Sequence, residues 1–192
     1  MGSCWPSRWL VVVLLGCATP LWPAAEEVPG AFTDELIEAV VWRASESEVR
    51  LVTDPAPGID RALEWVVTTQ AGRVNTLERE LPVRPDAAGV IHFRIHCGTR
   101  AAVEVQLAGS GDARLYHIVQ LDGSDWHDVS VPIARMARFG GFTDDMLAGP
   151  LALRFWIDGA PGWAGGAHQP MRQLTFTIAD IRIDAPLAGR PE

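Results

Sequence analysis

Apolar and polar residues alternate along most of the chain beyond residue 47, which is the pattern of β-strands that bury one face. In residues 90–97, for instance, apolar side chains at odd positions alternate with His92, Arg94 and His96. The same alternation, interrupted by turns rich in Gly, Pro and Asp, predicts strands at 48–53, 61–69, 76–83, 90–97, 101–107, 115–121, 126–131, 151–158 and 174–184. About nine short strands without long intervening helices predict an all-β fold, an antiparallel β-sandwich or jelly roll with short helical segments only.

The closing strand, 174–184, changes phase partway along its length. Apolar residues occupy even positions up to Ile178 and odd positions from Ile181 onward. Such a change turns the following side chains to the other face of the sheet, unless a β-bulge accommodates the extra residue. We therefore expect a bulge at Ala179 and Asp180 that keeps a single face in the core.

The pattern also suggests how the chain is organised. We interpret residues 1–25 as an export signal, 26–33 as a linker, 34–186 as a single β-sandwich domain and 187–192 as a tail. Residues 34–42 suit either a helix, with Thr33 as its N-cap, or a first strand, and we expect a short helix or turn that runs into that strand. Residues 133–138 are expected to form one helical turn.

The amino-terminal segment has the features of an export signal. Arg8 precedes the apolar run 9–15, which is well short of the roughly 20 residues that cross a bilayer. Leu14-Leu15-Gly16-Cys17 resembles a bacterial lipobox, in which Cys17 becomes lipidated. Ordinary signal cleavage, near Cys17 or before Glu26, is the alternative. Either route predicts an exported protein of the periplasm or cell surface, which meets the membrane only through a lipid anchor.

The net charge limits the classes of partner that the protein can bind, and the cysteine content concerns the core. The chain has 24 acidic residues and 16 basic ones, which gives a formal net charge of −8. A negatively charged domain argues against nucleic acid as a partner, because phosphate binding requires a basic stripe. Within the predicted domain the sole cysteine is Cys97, and its place in the alternation predicts a small, buried core residue.

Three segments of the second half carry a pattern known from other proteins. A strand led by Trp126 ends at Pro132 and is followed by Phe139, a later strand spans 151–157, and the closing strand reads apolar-x-apolar-Ala-Asp-apolar. This pattern resembles the second half of the galactose-binding-like jelly-roll superfamily, which includes many bacterial carbohydrate-binding modules. The resemblance covers roughly residues 40–184, and it implies a jelly-roll fold and a polysaccharide or glycan as the partner.

The closing strand departs from this superfamily at one position. Many relatives have two Asp residues there, and the first helps to hold a structural calcium ion. Here Ala179 occupies the first position, so that Asp180 is the one remaining candidate metal ligand. Because a calcium site needs about 6–8 oxygen ligands, we expect no cofactor and interpret Asp180 as a residue of the bulge, with bound calcium as the alternative.

The polar sides of the middle strands carry the candidate binding chemistry. We expect the apolar residues of these strands to face the core and the polar ones to line one concave face. The predicted ligand-binding residues on that face are Arg94, His96, Glu104, Gln106, Arg154 and Trp156. Aromatic rings stack on sugar C–H groups, and planar polar side chains hydrogen-bond sugar hydroxyls. The alternative is that these residues form the solvated side of an antiparallel sheet.

The remaining tryptophans of the predicted domain divide into two groups. Trp163 lies in the glycine-rich loop 159–170 and is a candidate glycan or partner contact, with a packed lid over the sandwich as the alternative. Trp42, Trp65 and Trp126 lie in or beside predicted strands, and we expect them in the core.

Catalytic motifs such as Gly-x-Ser-x-Gly, His-Glu-x-x-His or a phosphate loop do not occur in the sequence. Glu104 and Asp158 are candidates for a glycosidase pair only because they are acids on suitable predicted faces. We therefore expect an exported, non-catalytic carbohydrate-binding protein of the bacterial cell envelope. The first alternative is a structural or protein-interaction module that contacts envelope proteins and has no glycan site. The second is a polysaccharide-active enzyme.

Overall fold

The computed structural model describes residues 31–32, 41–82, 84–123, 125–159 and 172–184. Within these ranges the chain forms twelve β-strands and two 3-10 helices, Ile133–Arg135 and Asp144–Ala148. The strands are β1 Ala31–Phe32, β2 Arg43–Ser45, β3 Ser47–Ala56, β4 Ile59–Thr69, β5 Val74–Glu80, β6 Val90–Cys97, β7 Ala101–Ala108, β8 Arg114–Leu121, β9 His127–Pro132, β10 Ala137–Phe139, β11 Ala152–Asp158 and β12 Arg172–Asp184.

The strands form two antiparallel sheets. Sheet I has the order β3-β4-β12-β6-β9, with β1 paired to β12, and sheet II has the order β10-β8-β7-β11-β5-β2. Many neighbours within a sheet are distant in sequence, so the chain crosses between the sheets repeatedly, as it does in jelly rolls. The predicted all-β sandwich is therefore confirmed. The three strands beyond the predicted nine are β1, β2 and β10, each only two or three residues long.

The core lies between the two sheets, where the inward side of each long strand is apolar. Phe93 of sheet I meets Phe155 of sheet II edge-to-face, with ring centroids 5.3 Å apart. Trp65 packs on Phe176 at 5.5 Å, and both are fully buried. Such ring pairs contribute about 0.5–1.5 kcal/mol beyond the burial of their area. The inward orientation predicted from the alternation is confirmed at Phe93, Ile95, Val103, Val105, Phe155 and Ile157.

The bulge predicted in the closing strand is also confirmed. The pairing of β12 with β6 shifts register between Ala179 and Arg182, and Ile178 and Ile181 on either side are both fully buried. Asp180 takes up the extra residue with a φ of 51°, in the left-handed region that Asp tolerates better than most residues. The bulge keeps one side of β12 in the core over its whole length.

Other predictions are corrected or refined. Strand β1 lies inside 26–33, which was interpreted as a linker, so sheet I begins earlier than expected. Only the first half of 133–138 is helical, because β10 begins at Ala137. Cys97 is buried as predicted, and burial raises the pKa of its thiol. In the described ranges, no helix has the length and apolar character required to cross a membrane. Residues 1–30 and 33–40 lie outside those ranges, so the export signal and the proposed helix remain predictions.

Candidate functional site

The outer face of sheet II gathers polar side chains into two rows that run across the strands. In the first row, Arg154 is in register with Glu78 on one side and with Gln106 on the other. Tyr116 continues this row beyond Gln106. In the second row Trp156 is in register with Glu104. The sequence prediction therefore placed Glu104, Gln106, Arg154 and Trp156 correctly on one shared face.

Strand β7 lies near the middle of this face and is buried on both of its sides. Its outward-facing Glu104 and Gln106 are only 5% and 1% exposed. The two other outward positions are Ala102 and Ala108, whose short side chains leave β7 lower than its neighbours. Longer side chains on β8 and β11 therefore rise on either side of a polar strip that water scarcely reaches.

Hydrogen bonds and ion pairs join this strip to the strands beside it. Arg154 Nε donates to Glu78 Oε2 at 2.8 Å, and Arg154 Nη1 donates to Gln106 Oε1 at 3.4 Å. Gln106 Nε2 then donates to Glu104 Oε1 at 2.7 Å. Arg114 on β8 forms an ion pair with Glu104, with 3.5 Å between Nε and Oε1. We call these five residues the polar ladder; its hydrogen bonds hold the Gln106 amide and the Arg154 guanidinium in place.

Aromatic rings flank the polar ladder. Trp156 on β11 and Tyr116 on β8 are both partly exposed on the outer face. At the β10 edge Phe139 is 50% exposed, and the guanidinium carbon of Arg114 lies 3.9 Å from its ring centroid. The binding prediction omitted Tyr116 and Phe139. The parity of β8 indicates the outward position of Tyr116, whereas Phe139 belongs to a strand too short to predict.

A cavity of about 370 Å³ adjoins the ladder at the β2 and β5 edge of sheet II. Its lining includes Arg43, Glu78, Glu80, Pro82 and Ala152. Because Glu78 belongs both to the cavity wall and to the polar ladder, the cavity continues the outer face and is not a separate site. Its volume lies within the range of about 300–1,000 Å³ that is usual for small-molecule sites.

The structure separates Arg94 and His96 from this face. Both lie on β6, which belongs to sheet I, so they project from the opposite side of the sandwich. The prediction that they share one face with Arg154 and Trp156 is wrong, because alternation shows which side of a strand is buried but not which sheet the strand joins. Arg94 is instead paired with Asp128 at 3.2 Å and with Asp180 at 3.6 Å.

Trp126 also lies on the outer face of sheet I, and the prediction that it belongs to the core is wrong. Its ring is 5.6 Å from the His96 ring and 5.6 Å from the Arg94 guanidinium carbon. Beneath it lies a small apolar cluster formed by the buried residues Ile59, Ala62 and Ala179. Trp126 therefore shields apolar surface outside the main core, whereas Trp42 and Trp65 are buried within it as predicted.

The other candidate residues have separate positions. Asp180 stands at the bulge beside Arg94, and no group of three or more His, Cys, Asp or Glu side chains in the described ranges could hold a metal ion. Glu104, one of the two candidate catalytic acids, is bonded within the polar ladder. Trp163 and Cys17 lie outside the described residues, so their roles remain predictions.

Comparisons with known proteins bear on the fold. The family 11 carbohydrate-binding module of Clostridium thermocellum, solved with a β-1,3-1,4-mixed-linked tetrasaccharide, matches with a TM-score of 0.59 and 14% identity over 83% of this chain and 98% of that chain. The xylan-binding domain CBM22-2 of Paenibacillus barcinonensis matches with a TM-score of 0.52 and 14% identity over 81% of this chain and 98% of that domain. The chain has the fold of these carbohydrate-binding modules.

The same jelly roll also occurs as part of larger enzymes. An exo-β-agarase matches with a TM-score of 0.56 and 11% identity over 82% of this chain, but over only 25% of the enzyme. The chain matches no protein-family model and no curated protein sequence. The resemblance to carbohydrate-binding jelly rolls is thus confirmed for the fold, and the ligand has to be argued from the site.

Proposed function

We propose that the outer face of sheet II binds a polysaccharide and does not cleave it. The observation that carries the proposal is the burial of Glu104 and Gln106, which are outward-facing yet at most 5% exposed and bonded to each other. Polar side chains on an ordinary solvated face remain exposed. Here they are held in fixed positions before any ligand arrives, which reduces the ordering cost of binding.

The chemistry of this face suits sugars. Trp156, Tyr116 and Phe139 offer rings on which the C–H faces of sugar residues can stack. Between them, the partly exposed guanidinium of Arg154 is held by Glu78 and Gln106 and is positioned to hydrogen-bond ring hydroxyls. The solved modules of the same fold include one with a bound tetrasaccharide and one described as xylan-binding, and both support the proposal.

The hydrogen bonds of the acids on this face support binding without cleavage. A glycosidase requires one carboxyl group that donates a proton and a second about 5–9 Å away. Glu78 instead accepts a hydrogen bond from Arg154, and Glu104 accepts one from Gln106, so both carboxylates are already engaged within the polar ladder.

Electrophoresis through gels containing mixed-linked β-glucan, xylan or agarose tests the proposal. Wild-type protein is expected to be retarded by at least one polymer. Trp156→Ala should bind that polymer about thirtyfold more weakly, the loss typical of a central aromatic contact. The matched control is Trp126→Ala, which removes a partly exposed tryptophan from the other sheet and should leave retardation unchanged. If Trp156→Ala is retarded as strongly as the wild type by each polymer that the wild type binds, the proposal is contradicted.

We also propose that the protein is exported to the cell envelope, with Cys17 as the lipid anchor. The support is the apolar run 9–15 followed by the lipobox-like sequence that ends at Cys17. Labelled palmitate should be incorporated into wild type and not into Cys17→Ser. Label that persists in Cys17→Ser excludes this anchor, and a mass spectrum of the mature amino terminus then identifies the alternative cleavage site.

A further inference from the structure

The arginines on the outer face of sheet II are already neutralised by acids of the same face. Arg154 lies 2.8 Å from Glu78, as measured between Nε and Oε2. The Arg114 and Glu104 pair is separated by 3.5 Å, and so is the pair that joins Arg43 to Glu80 at the cavity. Each arginine on this face, over the part of the chain that the structure describes, therefore has an acidic partner.

The face as a whole also carries a slight excess of negative charge. The register of β11 places Asp158 on the same side as Arg154 and Trp156. The described outer positions of sheet II thus carry three arginines and four acids. These are Arg43, Arg114 and Arg154, and Glu78, Glu80, Glu104 and Asp158. The formal net charge of the whole chain is −8, which adds a long-range repulsion of anions.

On the described part of this face, these pairs leave hydrogen-bonding capacity but no free cation. An arginine has five N–H donors, and Arg154 uses only Nε and Nη1 within the polar ladder. A carboxylate likewise has more lone pairs than a single partner uses. Hydroxyl groups can therefore bond to both members of a pair without breaking it. A carboxylate or sulfate ester would have to displace a glutamate from its arginine or lie beside it, and both arrangements are unfavourable.

We infer that the polysaccharide bound on this face is uncharged and that acidic polysaccharides are rejected. This inference rests on the proposed function, which it deepens by naming the ligand class. Binding of an uncharged ligand should depend little on salt, because screening acts on interactions between net charges. Specificity then comes from the glutamates, which hold the arginines in place and repel anionic sugars.

The test compares neutral and acidic polymers in the same binding assay. The neutral panel is mixed-linked β-glucan, xylan and agarose, and the acidic panel is polygalacturonate, alginate and carboxymethyl cellulose. Wild type should bind a neutral polymer with less than about twofold change in affinity between low and high salt, and should not bind the acidic polymers.

The variant Glu78→Gln should gain the ability to bind an acidic polymer. Glutamine keeps an acceptor for Arg154 but removes the neutralising charge, so binding of an acidic polymer at low salt should rise about fivefold or more and disappear at high salt. The control is Glu64→Gln on sheet I, which removes a charge paired with Arg50 at 2.6 Å. The Glu64 and Glu78 side chains are similarly exposed, at 21% and 31%, and the change in net charge is the same. Glu64→Gln should gain no binding of acidic polymers.

The outcomes separate this inference from the proposed function. Wild-type binding of acidic polymers in preference to neutral ones would overturn the ligand class and leave a glycan site standing. Binding of neither class would overturn both. An equal gain in Glu64→Gln and Glu78→Gln would show that net charge alone excludes anions, which contradicts the role assigned to the ladder.

Discussion

The two outer faces of the sandwich carry similar side chains in different arrangements. Each presents a tryptophan, Trp156 on sheet II and Trp126 on sheet I, near arginines paired with acids. On sheet II the polar side chains of β7 are buried and bonded in a continuous ladder. On sheet I the outward residues of β6 remain partly exposed, and Trp126 covers an apolar cluster. Connected, pre-positioned polar groups therefore distinguish a binding face, and residue types alone do not.

The arrangement on sheet II has an energetic consequence. Burying Glu104 and Gln106 is unfavourable unless both are hydrogen-bonded, and apolar residues in such positions are often equally or more stabilising. A network of this kind is therefore not explained by stability alone. Its placement between exposed aromatic rings is explained if the network holds Arg154 in position for a ligand.

The largest expected effect is on stability, at Glu104. Replacing it by Ala leaves the partly buried Arg114 without its acid and removes the acceptor of Gln106. We expect Glu104→Ala to lower the free energy of unfolding by about 3 kcal/mol. Glu64→Ala breaks a more exposed pair on sheet I and should cost less than about 1 kcal/mol. Urea denaturation of both variants measures the contrast, and equal losses would mean that the ladder is no different from a surface ion pair.

The next effect is on affinity, at paired arginines of the two faces. Arg154→Ala removes the link between Glu78 and Gln106 and should weaken binding of a neutral polysaccharide about tenfold. Arg94→Ala removes a similarly exposed arginine from sheet I and should leave affinity within about twofold. Calorimetric titration of both variants with the polymer that retards wild type provides the comparison. A greater loss in Arg94→Ala would move the site to sheet I.

A smaller loss of affinity is expected from a substitution at the edge of sheet II. Phe139→Ala removes a half-exposed ring at the β10 edge of sheet II and should weaken binding about threefold, as a peripheral contact does. Leu51→Ala, which removes an exposed apolar side chain from β3 at the edge of sheet I, is the control and should bind like wild type. If both variants bind like wild type, the ligand does not extend to β10.

The smallest effect concerns calcium at the bulge. Asp180 has Arg94 as its neighbour, so we expect neither calcium nor a chelator to shift the thermal unfolding midpoint by more than about 1 °C. A larger stabilisation by calcium that vanishes in Asp180→Asn would restore the structural ion implied by the superfamily resemblance.

The sequence was sufficient to predict the long strands and the bulge because both depend on local alternation. Val90–Cys97 was predicted at its observed limits, and the phase change around Ala179 indicated the bulge. Strands of two or three residues, such as β2 and β10, are too short to show a period. Their existence depends on the neighbours they pair with, which the local sequence does not contain.

The candidate site was predicted in part for the same reason. Alternation placed Arg154, Trp156 and Gln106 on the outward sides of their strands, and the structure brings them together. It also placed Arg94 outward, but β6 and β7 join different sheets although they follow one another in the chain. Sheet membership is set by non-local pairing, and so is the position of Trp126 over residues distant from it in sequence.

Side-chain NMR distinguishes sugar binding on sheet II, which we propose, from sugar binding on sheet I. Isotope-labelled protein is titrated with a neutral mixed-linked tetrasaccharide, or with fragments of whichever polymer retards the wild type. We expect shifts of the Trp156 indole N–H and the Gln106 side-chain amide, while the Trp126 indole signal remains unchanged. Saturable shifts confined to Trp126, or to Trp163, would show that the sugar does not bind on sheet II.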